Sequence, residues 1–337
     1  MKKWTRIIVS VLLLAAVLLL HHGVVQDALH ILPEAALATA SPPVTLSAFT
    51  GAELETPMTP VLIMPGYLET QAVTAYYTTA DAPALFALTM CDGGFDAWEA
   101  GSIVISDRLA VALFLTDQAV GRMVRFNGQE YTVRGVYAEP DSLLSRLSQT
   151  TTSAVYLPLT AYPDQNAAVS EWIVGLDGAQ SVEHLAPEIE LRLGTNLTFR
   201  SAYNFAESRK LVQQSEDALV LLLAAVFTGL AVVFAVRYAK RRAWVLFAAA
   251  MVCVAAGIVW VLCARFPLFL PRDFVLRSGS AMEYMVEQSQ LMNEKAELFF
   301  CTYAKSVLLS LAGLCGIAVV LMGTIAATLF RRRKDRE

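Results

Sequence analysis

Four apolar runs punctuate the chain. Ile7–Leu20, IIVSVLLLAAVLLL, is extended by His21, His22, Gly23, Val24 and Val25. Ala218–Val236, Ala243–Ala264 and Ser306–Phe330 follow, all three without a charged side chain. Each of these reaches about 20 residues, enough to cross a hydrocarbon core roughly 30 Å thick. The first run, after MKKWTR, also has the form of a signal peptide with a late cleavage site at ALATA, ending at Ala40. It is read as an uncleaved helix, and both readings put the following residues on the same side.

Between the first and second runs the pattern becomes that of a folded, water-facing domain. The approach segment HILPEAALATASPPVT reads as a helical stalk to about Ala40, then a loop through Pro42 and Pro43. PVLIMPGYLE reads as a short strand ended by Pro65 and Gly66. TQAVTAYYTTADAPALFALTM stays open between helix and loop. Ile103, Val104 and Ile105 form a β-rich triplet. Ser106 or Asp107 can cap the helix that follows by accepting orphan backbone N–H bonds, and Leu109, Ala110, Leu113 and Phe114 give that helix its apolar stripe.

The clearest signal is VRFNGQEYTVRGVY, residues 124–137. Val124 and Phe126 alternate with Arg125, and Tyr131 and Val133 alternate with Thr132 and Arg134. Asn127-Gly128 falls between them, where a two-residue turn needs positive φ. This is a hairpin with one packed and one wet face. Gly135 marks a bulge or a close approach in its second strand. SAVYLPL (153–159) and EWIVGL (171–176) are further strands, EIELRLG with LTFRS closes the sheet, and Ser181–Leu185 can hold a short helix. Residues 203–217 run as a polar helix into the second apolar run.

Charge then orients the chain. Lys2, Lys3 and Arg6 precede the first run; Arg237, Lys240, Arg241 and Arg242 separate the second and third; RRRKDRE ends the chain. These basic flanks are cytoplasmic by the positive-inside rule. Residues 25–215 carry 21 acidic against 9 basic side chains, a net of −12, and face outward. The fold class is an α+β extracytoplasmic domain inserted in a four-helix transmembrane protein. Its parts are a cytoplasmic N-terminus (1–6), helix one (7–25), the outer domain (26–216), helix two (217–236), a cytoplasmic loop (237–242), helix three (243–264), an outer loop (265–305), helix four (306–330) and a cytoplasmic tail (331–337). The chain is read as multi-pass in a cell membrane, with both termini inside. In the outer loop, FPLFLP reads as interfacial. Met282, Met285, Met292 and Leu298, set among Glu283, Glu287, Glu294 and Glu297, give a helix able to pack on the large domain. The mean hydropathy of +0.51 and 17% charged residues agree with a membrane chain.

Residues that would carry chemistry are sparse. An acidic outer domain disfavours nucleic acid and anionic lipid. The five cysteines, Cys91, Cys253, Cys263, Cys301 and Cys315, show no CxxC spacing; Cys263 and Cys301 fall near outer helix ends, where pairing is one option and burial the other. His21-His22 reads as solvated or beside lipid headgroups, and His184 with Glu183 and Glu188 as a solvated surface. CDGGFD (91–96) reads as a tight turn. GxSxG, HExxH and Walker A runs are absent. No catalytic, cofactor-binding or metal-ligating residue is assigned, and the chain is read as not an enzyme. The middles of the later spans lack the charges a proton-coupled transporter would need.

The stretch SIVISDRLAVALF…VGRMVRFNGQEYTVRGVYAEP resembles the periplasmic core domain of the MacB/FtsX-like permease group. Ile103–Ser106 and Leu109-Ala110 fall on that group's strand and helix. Val120-Gly121, Gly128, Tyr131 and Val133–Val136 fall on its hairpin, and Phe86, Leu88 and Gly94 on the lead-in. The resemblance covers Phe86–Pro140 closely and the rest by architecture: one span, an outer domain, then three spans. It implies a membrane subunit that works with a separate cytoplasmic ABC ATPase, so ATP enters only through that partner. It further implies a homo- or heterodimer with a permease subunit, an extracytoplasmic protein partner, and motion of the outer domain for export, outer-leaflet extraction or mechanotransmission. Two features depart from the pattern. Only Met1–Arg6 stand where the group has an amphipathic cytoplasmic helix, and RYAKRR (237–242) replaces a longer cytoplasmic segment. The alternative is a membrane-anchored extracytoplasmic binding or scaffold protein without ATPase coupling.

Overall fold

The computed structural model describes residues 2–220, 229, 281–295 and 298–330, apart from 53, 97, 149–152, 177–180 and 195. The third apolar run, most of the second, the 237–242 loop, FPLFLP and the RRRKDRE tail lie outside the described residues. The chain divides into two compact units. One holds His30–Arg209 with the described residues of Gly279–Ser306. The other holds the residues up to Leu29, from Lys210 onward to 220, and from Val307 to Phe330.

In the first unit, β1 (Ala35–Thr45), β2 (Met58–Pro60), β10 (Ala168–Gly175) and β11 (Thr198–Asn204) form an antiparallel sheet in the order β11-β1-β10-β2. The expected stalk to Ala40 is therefore a strand. Helix α1 (Lys2–Ile31) stops just before Pro33, as a residue preceding proline is pushed away from helical φ/ψ. The following Ala35–Thr45 is a buried inner strand whose small side chains leave room for its neighbours: Ala38 stands opposite Trp172 of β10, and Trp172 is fully buried against Phe49 and Phe199. The register of β1 shifts between Thr39 and Val44, where its prolines lie.

The other strands are β3 (Leu62–Leu68), β4 (Gln71–Thr78), β5 (Met90–Gly93), β6 (Ser102–Ser106), β7 (Met123–Phe126), β8 (Gln129–Tyr137) and β9 (Ser153–Pro158), in the order β5-β8-β6-β9-β4-β3-β7. Strand β7 also pairs with β8, so the sheet closes on itself. The predicted hairpin is the closing element. Asn127 (φ 48°) and Gly128 (φ 85°) make its turn, and Val124, Phe126, Tyr131 and Val133 turn inward. Asn127 also pins the turn to β3: its Oδ1 accepts from the Tyr67 N–H at 2.9 Å, and its own N–H donates to the Tyr67 carbonyl at 3.0 Å.

Strand β3 runs through Pro65 and Gly66 rather than ending there, and TQAVTAYYTT is strand, not helix or loop. β4 lies between β3 and a parallel β9, with Val73, Ala75, Tyr76 and Tyr77 buried. All five residues of β6 are buried, as befits a strand covered on both faces. Ser106, and not Asp107, caps α4 (Asp107–Phe114), its Oγ accepting from the Leu109 N–H at 3.2 Å. Gly135 is both things expected of it. The β6–β8 register slips by one residue at Arg134, and a Cβ at 135 would stand 2.9 Å from the Gly94 nitrogen.

The short helices are α2 (Leu46–Thr50), α3 (Ala82–Leu85) and α5 (Leu143–Ser148). Helix α6 (Val182–Leu193) runs on through Pro187 well past Leu185. EIELRLG alternates like a strand, yet Val182, Ala186 and Ile189 are buried at helical spacing while Leu191 is 70% exposed. LTFRS is the strand expected of it, within β11. Helix α7 covers residues 205–220, α8 is Ala281–Glu294 and α9 is Phe299–Phe330.

In the second unit α1, α7 and α9 meet through Leu14, Leu219, Ala318 and Met322. Among the described residues, Thr5–Ile31 and Phe299–Ile325 are long and apolar enough to cross a membrane.

Candidate functional site

The segment around the start of α9 is buried within the α/β unit. Leu298, Phe300, Cys301, Tyr303 and Ala304 are all buried, so the first turn of α9 is a core element. Phe300 sits among aromatic rings from both ends of the domain. Its centroid is 5.8 Å from Phe86, just past α3, and 6.1 Å from Phe205, the first residue of α7. Phe86 lies 5.4 Å from Tyr156 of β9, and Tyr156 lies 5.4 Å edge-on to Tyr137 at the end of the hairpin strand β8. Phe205 lies 5.0 Å from Tyr203 of β11. Edge-on and tilted ring pairs at these separations add specific geometry to area burial. One chain of rings thus links the closing hairpin, α9 and α7.

Polar contacts fix the same seam. Lys295, between α8 and α9, donates from Nζ to Glu171 of β10. The Tyr203 and Ser208 hydroxyls are hydrogen-bonded, and Arg209 pairs with Glu34 at 3.0 Å. These contacts tie α7 to Glu34, the residue just before β1, and to β11.

A charged corner stands where α4 begins and β8 ends. Asp107 Oδ1 accepts from the Glu139 N–H at 3.1 Å and from the Arg108 N–H at 2.8 Å. The Glu139 side chain is almost fully buried; its Oε2 has no hydrogen bond among the described residues, and Arg108 Nε stays 3.9 Å away. Burial pushes the Glu139 carboxyl above the usual range, more than Arg108 and the Ser106 and Ser153 hydroxyls hold it down. Arg108 and Arg146 both reach the exposed Asp141, whose carboxyl Arg146 chiefly holds below the usual range.

His22 is exposed, as expected, whereas His21 is not. His21 is 1% exposed, with Nε2 3.4 Å from Ser215 Oγ and 3.8 Å from Cys315 Sγ, while His22 Nδ1 lies 2.7 Å from Glu216 Oε1. The pair thus bridges α1 to α7 and α9 within the helical unit. His184 and Glu183 are exposed on α6, and CDGGFD is the end of β5 and its exit turn. Cys301 carries a free thiol, and Cys263 lies outside the described residues. Among the described residues no three His, Cys, Asp or Glu side chains are placed to hold a metal ion.

The MacB-like periplasmic core domain model matches residues 7–191, more than half of the chain. The chain belongs to this family. The match runs from α1 almost to the end of α6 and includes the closed sheet with its hairpin and every strand of the other sheet but β11. Among solved structures, the periplasmic region of MacB from Actinobacillus actinomycetemcomitans is similar at 13% identity, covering 55% of this chain and 94% of that one, with a TM-score of 0.38. A domain of a putative permease from Porphyromonas gingivalis is similar at 15% identity over 50% of this chain and 90% of that one, TM-score 0.35. The extracellular domain of the noncanonic ABC-type transporter YknZ from Gram-positive bacteria is similar at 13% identity over 50% and 98%, TM-score 0.33. No curated protein matches the chain. This MacB-like chain is thus a membrane protein of the ABC-transporter permease type with an extracytoplasmic mixed α/β domain.

Phe86, Gly94 and the hairpin were legible in this MacB-like frame. The rest of the ring chain was not. Phe205, Phe300 and Tyr156 lie far apart in sequence; the one local cue was the FF pair at 299–300, closing an otherwise polar loop helix.

Proposed function

We propose that the chain is the permease-like membrane subunit of an ABC-type complex, in which a separate cytoplasmic ATPase moves the outer domain. The work done is export, extraction from the outer leaflet or mechanotransmission. The observation that carries this reading is Phe300, a core residue of the outer domain in the first turn of a helix that continues as an apolar span to Phe330. A pull along α9 would act on the ring chain, and through Phe205 on the start of α7. Packed aromatic cores respond to such a pull by discrete repacking rather than by continuous stretch. The chain itself carries no nucleotide in this reading; ATP is bound by the partner. A dimer with a second permease subunit and an extracytoplasmic protein partner complete the assembly.

Tagged full-length protein from native membranes tests the reading. A co-purifying ATPase whose turnover in the complex is altered by F300A supports it. Absence of any ATPase, with ATP-dependent phenotypes unchanged on deletion, sinks it. A membrane-anchored binding or scaffold protein without ATPase coupling is the second reading. The six-residue segment Arg237–Arg242 favours it, because a cytoplasmic dock needs a turn or two of helix beyond the headgroups.

A further inference from the structure

Arg108 stands between two acids in the corner where α4 begins and β8 ends. Its Nη2 donates to Oδ1 of the exposed Asp141 at 2.5 Å, while its Nε stops 3.9 Å from Oε2 of Glu139. Asp141 has a second partner: Arg146 of α5 donates to the same oxygen from Nε at 2.7 Å. Glu139 is worse served. Its side chain is 8% exposed, and its Oε2 is closed to solvent and accepts no hydrogen bond among the described residues. The groups around it are otherwise fixed. Asp107 Oδ1 is engaged by the Arg108 and Glu139 N–H groups at 2.8 and 3.1 Å, so a second carboxylate stands beside the buried one. The Ser106 and Ser153 hydroxyls reach its carboxyl from β6 and β9, and Tyr137 of β8 and Tyr156 of β9 lie within its electrostatic reach. Among the described residues, Arg108 is the one cation acting on it.

This arrangement suits a neutral Glu139 and not an ionised one. A buried carboxylate with an unpaired oxygen is far more costly than the neutral acid in the same place. Solvent does not reach Oε2 to offset that cost, and Asp107 adds to it by repulsion. Arg108 can respond. Its side chain is 41% exposed, and bringing Nε to hydrogen-bond length takes a shift of about 1 Å. Turning inward leaves Asp141 to Arg146 alone. We propose that Arg108 is a pH-driven latch: with Glu139 protonated it holds Asp141 and fastens the entry of α5 to α4, and when Glu139 gives up its proton it turns inward and releases that entry. Burial favours the neutral acid, so the exchange falls above the ordinary carboxylate range. Asp141, held below that range chiefly by Arg146, stays ionised and does not drive the change. The inference stands on this corner alone and does not require ATPase coupling.

The test is amide hydrogen exchange of the full chain in detergent, read by mass spectrometry at about pH 5 and about pH 8 and corrected for the intrinsic pH dependence of exchange. In wild type the peptide covering residues 141–148 is expected to exchange about two- to fivefold faster at the higher pH, the range an exposed ion pair supports. Peptides of β6 are expected to stay protected over the same times. E139Q, which cannot ionise, should hold residues 141–148 at the slow rate at both pH values. R108Q, which removes the latch and leaves Glu139 in place, should show the fast rate at both. If R108Q does not fold, E139Q alone decides the case. Equal pH dependence in wild type and E139Q, no change in wild type, or a change of the same size in β6 overturns the proposal.

Discussion

The ring of Phe300 lies 5.8 Å from that of Phe86, although 214 residues separate them in the chain. One residue belongs to the lead-in of the hairpin region and the other to the first turn of α9. Their contact packs the start of α9 against the aromatic side chains Tyr156 and Tyr137 of the closed sheet, apart from the core cluster that holds Val124, Phe126, Tyr131 and Val133. Phe300 is 6% exposed, so F300A should cost about 3–5 kcal/mol. F300L should cost much less, because it keeps most of the volume. Thermal unfolding of the full chain in detergent reads both. Equal, small effects would mean that this end of α9 is not bound into the core.

Lys295 and Glu171 tie the same segment to β10, each side chain 28% exposed. Partial burial places the pair above a surface ion pair, and a double-mutant cycle with K295A and E171A should give a coupling of about 1 kcal/mol. High salt should shrink it, since the pair is still in reach of solvent. A coupling near zero would make the contact incidental.

Gly66 explains why β3 tolerates a Pro-Gly step in mid-strand. A Cβ there would stand 2.4 Å from the Phe126 ring, and Phe126 is itself 3% exposed and cannot swing away. G66A should therefore open the seam between β3 and the hairpin, at about 1–3 kcal/mol. G128A should cost only the backbone strain of its left-handed turn, about 1 kcal/mol, since nothing lies near its missing Cβ. Urea unfolding of both variants checks the ranking, and a G128A loss larger than that of G66A would contradict it.

The hairpin, β6 and α4 were legible because each carries a local rule: period two around Asn-Gly, a β-branched run, a serine cap. To about Ala40 β1 reads from sequence as a helical stalk because its alanines are good helix formers, and through Pro42 and Pro43 as a loop; its strand conformation is imposed by Trp172 opposite Ala38, a tertiary demand. β4 was obscured by polar residues at its start, and its burial comes from β3 and the parallel β9 on either side. The α6 alternation Ile189, Leu191, Leu193 imitated a strand. The ring chain through Phe86, Phe300 and Phe205 is non-local throughout, so no window of sequence could contain it.

Glu139 should make the fold sensitive to pH. Its carboxyl is raised above its usual value of 4.5, chiefly by burial. The unfolded chain gives up this proton first as pH rises, so over the interval between the two values the native state binds more protons. Stability contributed by the neutral acid is full below the unfolded value and is lost as pH climbs through the native one. E139Q keeps the shape without the charge. It should flatten this part of the profile, with the variant gaining on wild type toward neutral pH. Urea midpoints at intervals from about pH 4 to about pH 8 measure it; parallel profiles would remove Glu139 as the cause.

Cys91 offers a native probe of the proposed topology. It is exposed on β5, whereas Cys301 is buried. In a variant with the other four cysteines replaced by serine, a membrane-impermeant maleimide should label Cys91 on intact cells. With C91S added, R241C should react only after lysis. Labelling R241C from outside, or protection of Cys91 in intact cells with labelling on lysis, would invert the assignment. The pH dependence supplies an internal check that the labelled thiol is Cys91. Desolvation chiefly, then Asp107, Asp117 and Asp92, push it above its ordinary 9.0, and the thiolate is the species that attacks. Labelling should therefore be slow at neutral pH and keep accelerating beyond pH 9.0. D92N should speed it, because removing a neighbouring carboxylate lowers the cost of forming the thiolate.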